Sequence, residues 1–172
     1  MHRDAQPAAP TETQQLTFVP DYGLITVADV GHGGVDSDLV AAAYSTVSAA
    51  SATAVVIKVA QDQLPVDVFA EVWSDAPQIP HDQGWSAPVE YRIECPSGDI
   101  RVGAPAGDAI GVSFAAGPHV VRLAHRGRAE AGDLTAVLRR ETAGTDPVTR
   151  RAELDRRGGG VEQYLLQFWP AS

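Results

Sequence analysis

The sequence predicts an all-β, mainly antiparallel fold, a two-sheet β-sandwich of about eight strands. Two segments, residues 65–73 and 88–95, alternate strictly between apolar and polar side chains, which is the period of a half-buried strand. Helical patterns do not alternate regularly with strands, as they would in an α/β fold. The apolar faces of the strands are then expected to meet in a core between two sheets.

The first quarter of the chain predicts one strand and one short helix. The opening strand covers residues 16–28, with a bend at Pro20. A glycine-rich loop follows, and a short helix is expected near 37–44. Asp36 or Ser37 would cap this helix by accepting hydrogen bonds from its first amides.

The middle of the chain predicts two hairpins. Strand 54–60 is joined to strand 65–73 by a connection short enough for a hairpin turn. Strand 88–95 is followed by a Pro-Ser-Gly-Asp turn and strand 100–103, which predicts a second hairpin. Residues 74–86 hold two prolines and few apolar side chains, so they predict a surface loop.

Three further strands are expected at 110–114, 119–125 and 161–169. A helical insertion near 129–158, within residues 127–160, separates the last two. Aspartate caps predict the start of each of its two helices, and glycines predict the ends. The second helix has almost no apolar face, so little of it is expected to be buried.

The chain of 172 residues is predicted to form one domain with a tail. Residues 1–13 lack an apolar run and predict a disordered tail, and residues 14–170 predict the single sandwich domain. The uncharged stretch 39–57 is rich in Ser and Thr, which argues against a membrane span and leaves the cytoplasm as the expected location.

The charge is strongly uneven. The net charge is −9, and residues 1–100 contain fourteen acidic but three basic side chains. This balance argues against direct nucleic-acid binding, which needs clustered Lys and Arg. It would attract a basic protein partner, while solubility alone is the favoured explanation of the charge by itself.

The two alternating strands supply the candidate partner-binding residues. If the strands are neighbours, their polar faces combine carboxylates with aromatic side chains. The candidate residues are Asp67, Phe69, Glu71, Trp73, Glu90 and Glu94. In the alternative interpretation, a loop or helix of the same chain covers the aromatic side chains and the acids are merely solvated.

A second candidate site is the loop with Asp29, His32, Asp36 and Asp38. These are metal-capable side chains, and a small metal-dependent hydrolase is the alternative function that they predict. Their spacing fits no calcium loop, and zinc would require a ligand from elsewhere. No cofactor or catalytic residue is predicted, and Cys95 is expected to be a buried, unreactive thiol.

A third candidate is the cationic corner at His125, Arg126 and Arg128. It lies at the end of a predicted strand in an otherwise acidic chain. It is suited either to binding an anion or to pairing with nearby acidic loops, and ion pairing within the chain is the favoured interpretation.

Residues 117–128 and 161–170 resemble the end of a group of small actinobacterial proteins of unassigned function. More remotely, the order of elements over residues 15–126 and 161–168 resembles the competence protein J family, which includes an inhibitor of a DNA-entry nuclease. The helical insertion departs from that pattern. The resemblance implies an acidic β protein that blocks a basic enzyme by contact. The expected function is therefore a noncatalytic inhibitor or immunity protein with a partner such as a nuclease or toxin.

Overall fold

The computed structural model describes residues 9–81 and 83–172, and within them ten strands form two five-stranded sheets packed face to face. The predicted all-β sandwich is confirmed. In chain order the strands are β1 (Glu12–Phe18), β2 (Leu24–Asp29), β3 (Ser48–Ala50), β4 (Ala54–Lys58), β5 (Val66–Val72), β6 (Val89–Cys95), β7 (Asp99–Gly103), β8 (Ala109–Ser113), β9 (Gly117–Arg126) and β10 (Glu162–Pro170). The helices are α1 (Ser37–Thr46), α2 (Arg128–Glu141) and α3 (Pro147–Gly158).

The first sheet has the strand order β1-β5-β10-β9-β6, and the second has the order β3-β4-β2-β7-β8. Neighbouring strands are antiparallel except β5 and β10, which run parallel. β10 therefore separates β5 from β9 in the centre of the first sheet.

The prediction of which side chains of β5 and β6 point into the core is confirmed for the main core. Val66, Val68 and Ala70 of β5 are buried between the sheets, as are Ile93 and Cys95 of β6. These residues occupy alternate positions because successive side chains of a strand point to opposite faces.

Three predicted connections differ from the structure. The opening segment is two strands in different sheets, β1 and β2, joined through a single 3-10 turn at Asp21–Gly23. Neither predicted hairpin forms, since β4 and β6 each pass to the opposite sheet to reach β5 and β7. Alternation fixes which face of a strand is buried, but it does not say which sheet the strand joins. The short strand β3 had no alternating pattern that could predict it.

The predicted helix near 37–44 is α1, and Asp36 caps it by accepting from the Leu39 amide at 2.8 Å. Leu39 and Ala43 of α1 pack against Leu24 and Val56 on the outer face of the second sheet. The uncharged stretch 39–57 thus lies in α1, β3 and β4. No helix in the described part of the chain is long and apolar enough to cross a membrane.

The helical insertion forms α2 and α3, although α2 begins at Arg128, earlier than expected. Gly127 precedes it at φ 74°, and a Cβ there would lie 1.7 Å from the Val161 carbonyl oxygen, so the position requires glycine. The expectation that the second helix buries little is confirmed, since Leu154 and Gly158 are the buried residues among its twelve. Leu154 of α3 packs with Leu138 of α2 over Leu64, which forms a small core of its own.

The boundary of the predicted tail lies inside a strand, because β1 begins at Glu12. The Thr11 amide also bonds to the Val72 carbonyl at 2.7 Å. Residues 1–8, which make up most of the predicted tail, lie outside the described residues.

Candidate functional site

A groove of about 690 Å³ lies on the outer face of the first sheet. The loop of residues 74–86, which joins β5 to β6, crosses this face and forms one wall. The predicted surface loop thus covers a sheet instead of projecting from it. On the side of the sheet, the groove is lined by Phe69, Glu71, Trp73, Leu165, Gln167 and Arg126. On the side of the loop, it is lined by Ala76, Pro77, Gln78, Ile79, Pro80, His81, Gln83 and Trp85.

The predicted partner-binding residues do not form one patch. β5 and β6 belong to the same sheet, but β10 and β9 lie between them, a separation of about 14 Å at ordinary strand spacing. Phe69, Glu71 and Trp73 line the groove, whereas Glu90 and Glu94 are exposed on the edge strand β6.

Asp67 is buried, with 7% of its surface exposed, and it belongs to a polar row that crosses the sheet. Thr17 Oγ1 donates to Asp67 Oδ1 at 2.5 Å, and Gln163 Nε2 donates to Asp67 Oδ2 at 3.3 Å. Arg126 Nε then donates to Gln163 Oε1 at 2.6 Å. The carboxylate is thus linked to a guanidinium through a glutamine, and it is not available to a partner.

A second polar row crosses the same face. On each of β5, β10 and β9 its residue lies four positions from the residue of the first row. Gln167 Nε2 donates to Glu71 Oε2 at 2.8 Å, and Arg122 Nη1 donates to Gln167 Oε1 at 3.3 Å. Arg122 Nε also donates to Glu90 Oε1 at 2.8 Å. The two carboxylates that were expected to be neighbours are therefore connected across four strands.

The two rows differ in charge. The row of Asp67 contains one carboxylate and one guanidinium, whereas the row of Glu71 contains two carboxylates and one guanidinium. Phe69 and Leu165 pair across the strands between the two rows and separate them with an apolar strip. The outer face thus carries its excess negative charge at the Glu71 row.

The two arginines also hold the loop of residues 74–86 against the sheet. Arg122 donates to the Pro77 carbonyl at 2.8 Å, and its guanidinium lies 4.7 Å from the centre of the Trp169 ring. Arg126 donates to the Gln83 carbonyl at 2.7 Å and lies 4.4 Å from the centre of the Trp85 ring. Each guanidinium therefore combines an aromatic face with oxygen acceptors.

Sequence reasoning missed both rows, although one signal was present. Each of the three central strands carries two identical or similar polar residues four positions apart on its outer face. They are Asp67 and Glu71 on β5, Gln163 and Gln167 on β10, and Arg122 and Arg126 on β9. A shared spacing of two strand periods puts such residues into matching rows when the strands are neighbours.

The loop of Asp29, His32, Asp36 and Asp38 does not converge on a metal position. Both Asp29 oxygens are used, one by His32 Nδ1 at 2.9 Å and the other by the Ser97 amide and hydroxyl at 3.0 and 2.7 Å. Asp36 caps α1. Within residues 9–81 and 83–172, no three His, Cys, Asp or Glu side chains are grouped as metal ligands would be.

The cationic corner is linked to a buried carboxylate. Arg128 donates to Tyr164 Oη and to the Lys58 carbonyl at 2.5 and 2.6 Å, and it lies 3.7 Å from Glu162. Glu162 is fully buried and accepts from Tyr164 Oη at 2.5 Å. Burial and the adjacent Arg128 charge hold the pKa of His125 below its ordinary value. Arg128 thus pairs within the chain, but its partner is a carboxylate of strand β10 and not of an acidic loop as expected.

Cys95 is fully buried in the main core. Burial, with the nearby charges of Asp29 and Glu94, raises the pKa of its thiol to about 12. The expected buried, unreactive thiol is what these surroundings produce.

No protein-family model and no curated protein sequence matches the chain. Two solved structures resemble it. ComJ from Bacillus subtilis, an inhibitor of the DNA degrading activity of NucA, aligns with a TM-score of 0.60 at 8% identity, covering 96% of this chain and 100% of ComJ. The protein of crocagin biosynthetic gene J aligns with a TM-score of 0.54 at 13% identity, covering 94% of this chain and 98% of its own. At these identities the likeness shows a shared fold.

Proposed function

We propose that this chain is a noncatalytic binding protein of the inhibitor type, and that it holds a basic protein partner against the groove and the edge strand β6 of the same sheet. The observation that carries the proposal is the Glu71 carboxylate. It lies beside Phe69 and Trp73 in an open groove, and no Lys or Arg among the described residues forms an ion pair with it. A carboxylate among aromatic side chains suits a contact with a cationic surface.

Two broader properties support the proposal. The net charge of −9 favours encounter with a basic protein. The fold matches that of ComJ, which inhibits the DNA degrading activity of NucA, over nearly the whole chain. A nuclease presents cationic groups to DNA phosphates, so an acidic binding protein is suited to such a partner.

The proposal predicts that charge reversal in the groove weakens partner binding. The immobilised protein would capture its partner from cells of the source organism, and calorimetry would then measure the affinity of the purified pair. Glu71→Lys should weaken binding by on the order of 2 kcal/mol, because it puts a positive charge against a basic surface. Glu94→Lys, on the edge of β6, reports whether the contact extends that far.

Glu130→Lys is the matched control, because Glu130 is exposed on α2 and its replacement changes the net charge by the same amount. Glu90 is unsuitable for reversal, since it pairs with the buried Arg122. Thermal melting of each variant establishes that it is folded. The proposal would be overturned if the captured partner were acidic, or if Glu71→Lys and Glu130→Lys weakened partner binding equally.

A further inference from the structure

We infer that the groove recognises a guanidinium group, supplied by an arginine side chain of the partner, at Trp73 and Glu71. The inference rests on the proposed function, because it names the chemical group of the partner that this part of the groove receives. It follows from the hydrogen bonds of Glu71, from the charge of the row to which Glu71 belongs, and from the way the chain places its own arginines on tryptophans.

Two uncharged donors hold the Glu71 carboxylate. Trp73 Nε1 donates to Glu71 Oε2 at 3.0 Å, and Gln167 Nε2 donates to the same oxygen at 2.8 Å. Among the described residues, no group donates to Oε1. The carboxylate is therefore fixed in orientation and keeps one oxygen open to a further donor, which is the condition for a strong charge-assisted hydrogen bond.

The charge of the row leaves Glu71 without a cation. Arg122 bonds directly to Glu90 at 2.8 Å, and it reaches Glu71 only through the neutral amide of Gln167. In the neighbouring row, Asp67 and Arg126 balance each other through Gln163. One further cation beside Glu71 would give both rows the same balance of charge.

The outer face already contains two guanidinium sites of the kind inferred. The Arg122 guanidinium lies over the Trp169 ring, 4.7 Å from its centre, and the Arg126 guanidinium lies over the Trp85 ring, 4.4 Å from its centre. Trp73 is the third tryptophan of this face, and no Lys or Arg in residues 9–81 and 83–172 lies over its ring. It has the aromatic ring and the adjacent acceptor of the other two sites, and the cation is the component that the partner supplies.

Arginine fits this position better than lysine. A guanidinium is planar, so it stacks on an indole while its N–H groups reach an acceptor beside the ring, whereas an ammonium group acts as a point charge. Glu71 lies beside Trp73 because they are two positions apart on the same face of one chain segment. The ring and the open Oε1 atom are thus presented together.

The test is a titration of the isotope-labelled protein with three blocked tripeptides, acetyl-Gly-Arg-Gly-amide and its lysine and citrulline counterparts. The indole N–H signals of the tryptophans, assigned with Trp73→Phe and Trp85→Phe, report which ring is contacted. The arginine peptide should shift the Trp73 signal saturably, with a dissociation constant on the order of 1–10 mM. Citrulline has nearly the shape of arginine but no charge, so its peptide should bind at least about tenfold more weakly.

Glu71→Gln keeps an acceptor for Trp73 and removes the charge, so it should weaken the arginine peptide by about tenfold while the remaining amide spectrum stays that of the folded protein. Equal shifts with the arginine and citrulline peptides would overturn the inference. So would shifts confined to Trp85 or Trp169, or undiminished binding to Glu71→Gln.

Arg3 precedes Thr11 in the sequence, and the Thr11 amide donates to the carbonyl of Val72, the residue next to Trp73. The titration is therefore repeated with Arg3→Gln. If the arginine peptide bound to that variant and not to the unchanged protein, Arg3 would be the group that occupies the site. That result would overturn the inference that a partner's arginine occupies it. The peptide titration needs no partner, so its failure is distinct from that of the proposed function. A captured basic partner whose affinity is unchanged in Glu71→Gln would leave the function standing and remove the guanidinium site.

Discussion

The Asp29 carboxylate connects two loops that are far apart in the sequence. It bonds to His32 in its own loop and to Ser97 in the connection between β6 and β7. Burial alone would raise the pKa of Asp29, but the hydrogen bonds from Ser97 and His32 outweigh burial and lower it. The stability that this group contributes is therefore complete above its unfolded pKa of about 4 and is lost as the pH falls through the lower folded pKa.

Asp29→Asn should lower the free energy of unfolding by about 1–3 kcal/mol at neutral pH, because the amide group turns a donor toward the donors of Ser97. It should also reduce the loss of stability below pH 4. Urea denaturation at several pH values measures both effects. Asp36→Asn is the control, since asparagine caps a helix about as well as aspartate does. An equal loss in the two variants would contradict a specific role of the Asp29 contacts.

Among the elements, α3 ends in close contact with the connection between β4 and β5. Gly158 is buried against Leu64, and a Cβ at this position would lie 2.7 Å from Leu64 Cδ2. Leu64 is fully buried and belongs to the connection between β4 and β5. Leu64 and the small core around it are thus one place where the insertion packs against the sandwich.

Gly158→Ala should destabilise the protein by about 1–3 kcal/mol, because the added methyl group overpacks the contact with Leu64. Gly132→Ala in α2 is the matched control, since a Cβ there has no atom within 4 Å. That substitution should be stabilising by about 0.5–1 kcal/mol, as expected when alanine replaces glycine inside a helix. Thermal unfolding of the two variants gives the comparison, and a stabilised Gly158→Ala variant would contradict the packing argument.

Most of the strands, and which of their faces is buried, could be predicted from sequence, but their pairing could not. The alternation over Val66 and Val68 depends on burial of one face, which is a local property of a strand. That β10 separates β5 from β9 depends on contacts between distant segments, and no pattern within one strand encodes them. The burial of Asp67 has the same origin, since Gln163 and Arg126, which complete its row, come from strands much later in the chain.

For the whole molecule, the net charge of −9 would attract the proposed basic partner over a long range. The association rate should fall about tenfold between low and high salt, because screening shortens the range of attraction, while the dissociation rate changes little. Stopped-flow tryptophan fluorescence with the purified partner measures both rates. Glu130→Lys should alter mainly association, whereas Glu71→Lys should mainly speed dissociation. A salt-independent association rate would contradict electrostatic steering.

The position of β10 has a consequence for how the protein is made. β10 follows the other nine strands in the sequence, yet it lies between β5 and β9 in the first sheet. Before residues 162–170 are synthesised, β1 with β5 and β9 with β6 are two ribbons that share no ladder of hydrogen bonds. Leu165 and Gln167 in the groove also come from β10. Translation must therefore pass this strand before the sheet closes, and a chain that stalls earlier on the ribosome lacks two residues of the groove and the strand that joins the two ribbons.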